Sequence, residues 1–203
     1  MIGSIGSRLR LVLHQPDGGP VPADTVVPSS LPEIEFVAYA ADGRLSGSIR
    51  LDASRLTDML NGHDEFQLEH VLAERLPSGG TMVIPELLVR RDELVLVHAS
   101  GPRGDRSRRI RTKAQAITVR SGPYLIFGDV HATPGLDPLL SFRRRLPMVP
   151  LTDAVIEYPG ANGPVREFAD VVIVNRDLMD WVRRIEADAS PAMTSGGLGR
   201  PTH

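Results

Sequence analysis

The stretch that most constrains this chain is Arg55-Leu56-Thr57-Asp58-Met59-Leu60-Asn61, with Phe66 just after it. Leu56, Met59 and Leu60 fall at i, i+3 and i+4, which places them on one face of a helix. Ser54 is the expected N-cap and Asp52 the other candidate, since either side chain can accept from an orphan amide of the first turn. Asn61-Gly62 tolerates a left-handed backbone, so the helix is expected to stop there. A helix of about two turns is not stable alone. It needs a sheet to lean on, and the flanking sequence supplies one.

Two strand-like runs precede the helix, Glu33–Ala41 and Arg44–Leu51, with Asp42-Gly43 between them as a two-residue hairpin signal. After it, Phe66 and Leu68 return the chain to the core. Three further strands are expected at His70–Leu76, Met82–Val89 and Glu93–Val97, and Pro77-Ser78-Gly79-Gly80 joins the first two. Hairpin, helical plug, then three strands suits a small, strongly curved sheet or barrel.

A worn second copy of this pattern follows. Gly47 and Gly128 occupy matching strand positions, 81 residues apart (128 − 47). Asp137-Pro138-Leu139-Leu140-Ser141-Phe142 reads as a second short helix, Asp137 its N-cap and Pro138 its first residue, where a missing N–H is harmless. Met148 and Leu151 stand where Phe66 and Leu68 stood, and the Leu68/Leu151 offset is 83 (151 − 68). Ala154–Tyr158 repeats the strand at His70–Leu76. Val89-Arg90-Arg91-Asp92 is echoed by Val174-Asn175-Arg176-Asp177 at an offset of 85 (176 − 91). Small loop insertions account for that drift, and two tandem domains of one type are expected.

The Arg-Leu-Thr-Asp-Met-Leu-Asn motif followed by Phe66 resembles the signature of an uncharacterised family of small bacterial β-domains. Its members read Arg-Leu-Ser/Thr-Asp-x-Leu-Asn, then Phe, then Leu-Thr-Asp before a strand. The first copy carries the helix portion, through Arg55, Leu56, Asp58, Leu60, Asn61 and Phe66. The second carries the later part, through Pro150-Leu151-Thr152-Asp153 and Val171–Val174 with Asn175-Arg176. The likeness spans roughly residues 33–98 and 115–185. It implies a fold and brings no activity with it.

Outside the two copies the chain changes character. Residues 1–32 hold one strand candidate, Leu9–Leu13, then five prolines with Gly18-Gly19 and Ser29-Ser30, an expected linker or irregular arm. Residues 33–98 form the first unit, 99–114 a polar basic segment and 115–188 the second unit, opened by Gln115–Arg120. Trp181 and Val182 close that unit in a last strand or a short helix. Residues 189–203 are small and rich in Gly and Pro, and are expected to be disordered.

The totals exclude several functions. No cysteine is present, so disulfides and thiolate metal sites are ruled out, and a reducing cytoplasm is the expected setting. No run of about 18 apolar residues suits a membrane helix, and the N-terminus lacks a secretory core. Basic residues are 22 Arg and one Lys, Lys113, a skew that reflects genome composition more than site chemistry. The net charge of −2 gives no global field to attract nucleic acid.

Local motifs weigh toward their plain readings. Phe127-Gly128-Asp129-Val130-His131 resembles the Gly-Asp-x-His of dinuclear metallophosphoesterases, but such a site needs further carboxylate and histidine ligands. The only later histidine is His203. His63-Asp64-Glu65 with His70 fits no helical ligand spacing and reads as a solvated turn. His14 and His98 stand alone. There is no Gly-x-Ser-x-Gly elbow, no phosphate loop and no dinucleotide fingerprint. The Arg-x-x-x-Arg and Asp-x-Ser-x-x-Gly pair of cyclic-dinucleotide barrels is missing too. No catalytic, cofactor-binding or metal-ligating residue is therefore assigned.

The segment 103–113 carries +5 (six basic residues minus Asp105), so Arg106, Arg108, Arg109 and Arg111 are candidate anion contacts. Arg143-Arg144-Arg145 could join them, although no aromatic is interleaved for base stacking. Cations in the last turn of a helix also favour its negative end without any partner. Arg55 and Asp58, at i and i+3, are expected to pair with each other. The expected fold is mainly β, with two tandem small barrel-like or strongly curved domains, each with one short helix. The expected function is a non-enzymatic protein-interaction or self-assembly module. The alternatives are nucleic-acid or anion binding through the Arg-rich segment and, remotely, a metal-dependent phosphoesterase at Asp129 and His131.

Overall fold

The computed structural model describes residues 31–102 and 112–185. Nearly all of the Pro-rich arm, the candidate anion contacts Arg106, Arg108, Arg109 and Arg111, and the C-terminal tail lie outside the described residues.

The first half runs β1 (Glu33–Tyr39), β2 (Gly43–Arg50), α1 (Leu56–Gly62), β3 (Glu65–Arg75), β4 (Gly80–Arg90) and β5 (Leu96–His98). The second runs β6 (Lys113–Ser121), β7 (Tyr124–Ala132), α2 (Pro138–Arg143), β8 (Met148–Gly160), β9 (Gly163–Asn175) and β10 (Trp181–Arg184). The protein is mainly β. Instead of closed barrels, the ten strands form one open antiparallel sheet in the order β10-β6-β7-β8-β9-β5-β1-β2-β3-β4.

Local chemistry explains most of the elements, with four departures from the expectations. The first hairpin turns at Ala41-Asp42, one residue early, closed by the Ala40 N–H on the Gly43 carbonyl at 2.8 Å. Neither Ser54 nor Asp52 caps α1: Arg55 is the N-cap residue and makes no side-chain cap. Asp52 instead meets His63 at 2.8 Å. The helix leaves through an extended His63 rather than a left-handed residue, because β3 begins two residues later. The expected strand at Glu93–Val97 is shortened to β5, which follows a 3-10 turn at Arg91–Glu93. In the second half, Asp137 caps α2 by accepting from the Leu139 N–H, with Pro138 at the first turn. Trp181 and Val182 form a strand.

Gly79 and Gly47 are among the glycines that the backbone geometry requires. Gly79 turns the β3–β4 hairpin at φ +74°, a region costly for other residues. Gly47 sits at the register shift between Ser46 and Ser48, where a Cβ would lie 2.8 Å from the Glu69 carbonyl oxygen.

The core is double. One cluster holds Phe36, Ala38, Leu45, Leu60, Leu68 and Val97, with Met148 and Ile173 from the second half. The other holds Tyr124, Ile126, Val149, Leu151 and Val174, with Val37, Tyr39, Val95 and Leu96 from the first. Neighbours along a strand point to opposite faces. On β1, β5 and β9 alternate residues therefore serve opposite cores: Phe36 against Val37, Val97 against Leu96, Ile173 against Val172 and Val174. The middle of the sheet is buried on both faces. This accounts for the unbroken apolar runs Leu94–Val97 and Val171–Val174, since a strand covered on both sides need not alternate.

The shared strands make a stability prediction. Ile173 is fully buried in the core of the other half. Ile173→Ala should cost about 2–5 kcal/mol through lost burial and the cavity left behind. Urea unfolding should remain one cooperative transition, with Trp181 fluorescence and far-UV circular dichroism coincident. Two separated transitions would show that the halves are independent.

Candidate functional site

All three tyrosines of the chain converge where the halves meet. Tyr39, at the end of β1, lies edge-on to Tyr124 (5.5 Å) and Tyr158 (5.4 Å) and stacks on His98 (5.7 Å). Its hydroxyl donates to Glu167 Oε2 at 2.6 Å, and the Tyr158 hydroxyl approaches the same oxygen at 3.3 Å. The Arg44 guanidinium is 3.9 Å and His98 Nε2 3.7 Å from Glu167 Oε1. The Tyr124 hydroxyl donates to the Ala40 carbonyl at 2.6 Å. Six strands thus contribute to one polar knot.

Its electrostatics favour a structural role. Burial, then the hydrogen bond and charge of Glu167, push the Tyr39 hydroxyl far above the ordinary phenol range. Burial, then Tyr158 and Asp42, do the same for Tyr124. Both stay protonated donors at any physiological pH. Burial lowers the His98 pKa; Glu167 and Glu35 push it up and Arg44 pushes it down. The knot welds β1, β2 and β5 to β7, β8 and β9. Sequence reading missed it, because Tyr39 and Glu167 are 128 residues apart and His98 shows no neighbour in sequence.

The signature residues serve the fold as well. Arg55 grips Asp58 with two bonds, at 2.8 and 2.7 Å. Leu56, Leu60 and Phe66 are buried in the first core. Asn61 reaches across to β8: its amide donates to the Met148 carbonyl and its oxygen accepts the Met148 N–H, at 2.9 and 3.0 Å. Asn175 makes a related clamp, donating to the Arg91 carbonyl at 2.9 Å.

The motifs weighed for catalysis are not brought together. His131 places its ring nitrogens against the hydroxyls of Thr152 (2.9 Å) and Thr112 (3.3 Å). His63 pairs with Asp52, and Arg91 with Asp64. Among the described residues, Glu33, Glu69 and His70 bring potential ligand atoms within 4.8 Å of one another. They are surface groups, and Glu69 already meets Arg50 at 3.3 Å. Arg143, in the last turn of α2, accepts from Arg176 through its carbonyl, and Arg145 donates to the His131 carbonyl. No described helix is long and apolar enough to cross a membrane.

What remains conspicuous is apolar surface at the two ends of the sheet. Leu72 and Val83 form an exposed cross-strand pair on β3 and β4, with Leu88 further along β4. Trp181 is exposed on β10, beneath the Arg183 guanidinium 5.4 Å away. Among the described residues β4 pairs only with β3, and β10 only with β6. Unpaired strand edges beside apolar side chains are templates for strand addition.

Comparison with protein-family models, with curated proteins and with solved structures finds no match.

The knot generates two predictions. Tyr39→Phe leaves a part-buried carboxylate without its short donor and should cost about 1–3 kcal/mol, whereas Tyr158→Phe, which loses a long contact, should cost much less. Equal losses in thermal denaturation would contradict this ranking. The second concerns acid. The folded pKa of His98 lies below its unfolded value of about 6.5, so the unfolded chain takes up this proton first. Its contribution to stability should therefore fall as pH drops below about 6.5. The stability of the wild type relative to His98→Gln should decline over that window; a difference independent of pH would refute it.

Proposed function

We propose that this protein is a non-enzymatic interaction or self-assembly module, built from two divergent copies of one β-unit and working through its free strand edges. The observation that carries this reading is the pair of edges, β4 and β10, left unpaired among the described residues, each beside exposed apolar side chains. Edge strands recruit a partner strand by backbone hydrogen bonding, and flanking side chains supply selectivity.

Register supports the duplication. β1 pairs with β2 as β6 pairs with β7, and the next pairings, β2–β3 and β7–β8, shift register at Gly47 and Gly128, 81 residues apart (128 − 47). Among the described residues the two non-glycine residues at positive φ, His70 and Asp153, are 83 apart (153 − 70) and lie in the bulges of β3 and β8 that face Gly47 and Gly128. β5 pairs with β1 through Leu96–Tyr39, and β10 with β6 through Trp181–Arg120. The offsets there are 85 (181 − 96) and 81 (120 − 39). Each half is thus a meander whose short last strand returns to its first. The likeness of Arg55–Asn61 and Phe66 to a family of small β-domains is in keeping with such a unit.

The test is a photo-crosslinking amino acid at Val83, compared with one at Asn162 in the exposed β8–β9 turn. Illumination in cells should yield protein adducts of defined mass from Val83 and not from Asn162. Equal adducts at both positions, or none at either, would defeat the reading.

A further inference from the structure

We propose that the partner is a second copy of this chain, docked head to tail with β10 of one molecule against β4 of the next. This rests on the interaction-module reading and names its partner. Inside the chain, β9 of the second half pairs with β5 of the first, through Leu96–Val174, Val97–Ile173 and His98–Val172. At the offset of 85, the counterpart of β9 is β4 and the counterpart of β5 is β10 (174 − 89 and 181 − 96). Among the described residues both counterparts are the sheet's unpaired ends. The chain therefore carries one junction already made and the two halves of the same junction unmade.

Burial reports the same asymmetry. Ile173 and Leu96 are 0 % exposed at the internal junction. Their counterparts Leu88 and Trp181 are 46 % and 41 % exposed. Apolar side chains stand exposed at the positions that a further copy, docked this way, would cover.

The mouths of the two cores differ in the same sense. In the second half, Tyr39 from the first fills the space beside Tyr124, Tyr158 and Glu167. The matching positions in the first half are Gly43, Arg75 and Met82 (124 − 81, 158 − 83, 167 − 85), and they line an open groove of about 320 Å3. The counterparts of Tyr39 and Leu96 are Arg120 and Trp181, themselves register partners. In a neighbouring copy Arg120 would take the place that Tyr39 takes in the second half, beside Gly43, Arg75 and Met82, with Trp181 next to it. The register that follows pairs Trp181 with Val89, Val182 with Leu88 and Arg183 with Leu87. Such a contact uses different surfaces on its two sides. It therefore propagates, closing into a ring where the rotation per copy allows and otherwise continuing as a filament.

The experiment is sedimentation velocity on the full chain across a concentration series, with Leu88→Arg and Trp181→Arg. Both side chains are exposed, so both variants should fold, as circular dichroism will verify. The wild type should associate with rising concentration. Each variant alone should associate at least about tenfold more weakly, a difference of about 1.4 kcal/mol. An equimolar mixture should form a 1:1 complex, because Leu88→Arg keeps its β10 and Trp181→Arg keeps its β4. A wild type that stays monomeric, variants that associate like the wild type, or a mixture that does not pair would each overturn the proposal. Crosslinks from Val83 to residues 1–30 of the same molecule would also overturn it, by giving the edge to that segment. Adducts from Val83 to a different protein would leave the interaction-module reading standing and remove this one.

Discussion

The structure depends on the backbone pairing of β9 with β5 and of β5 with β1, in a strip covered on both faces. A strand edge buried without partners would leave N–H and C=O groups unsatisfied, at about 1–3 kcal/mol for each group. Here β5 is met on one side by β9 of the opposite half and on the other by β1 of its own. The chain cannot separate into two bodies without exposing Val97 and Ile173 on one face and Leu96 and Val174 on the other.

Around that strip, register is held by polar contacts as well as by apolar packing. Glu167 receives the Tyr39 hydroxyl and sits near Arg44 and His98. Asn61 satisfies both backbone groups of Met148. A slip of one residue along β5 or β9 would exchange the two faces and break these contacts together. Apolar burial drives the halves together without direction. The Tyr–Glu knot and the asparagine clamp specify which alignment is kept.

Local chemistry was readable where it was decided locally. The β3–β4 turn at Pro77–Gly80, the Asp137 cap with Pro138, and the apolar face of Leu56, Met59 and Leu60 all follow from neighbours within a few residues. The expected Ser54 cap of α1 is not made, since the N-cap falls one residue later at Arg55, and Asp52, the other candidate, is held by His63. The strand expected at Glu93–Val97 begins only at Leu96, because the 3-10 turn at Arg91–Glu93 is tied to the far side of the sheet, where Asn175 donates to the Arg91 carbonyl. The tyrosine knot had no sequence signal, since its members are scattered from Tyr39 to Glu167.

By itself the sequence determined the alternation of strands, turns and two short helices, because period, glycine placement and capping act over a few residues. It also determined that no thiolate, phosphate loop or nucleophile elbow is present to do chemistry. Only the tertiary structure decided that the strands run on into one open sheet, that its middle serves two cores, and that β4 and β10 are left at the ends. Those outcomes turn on which distant strands pair. Backbone hydrogen bonds are the same for every residue, so the choice among partners is made by the packing and polar contacts of the assembled halves, which no local pattern encodes.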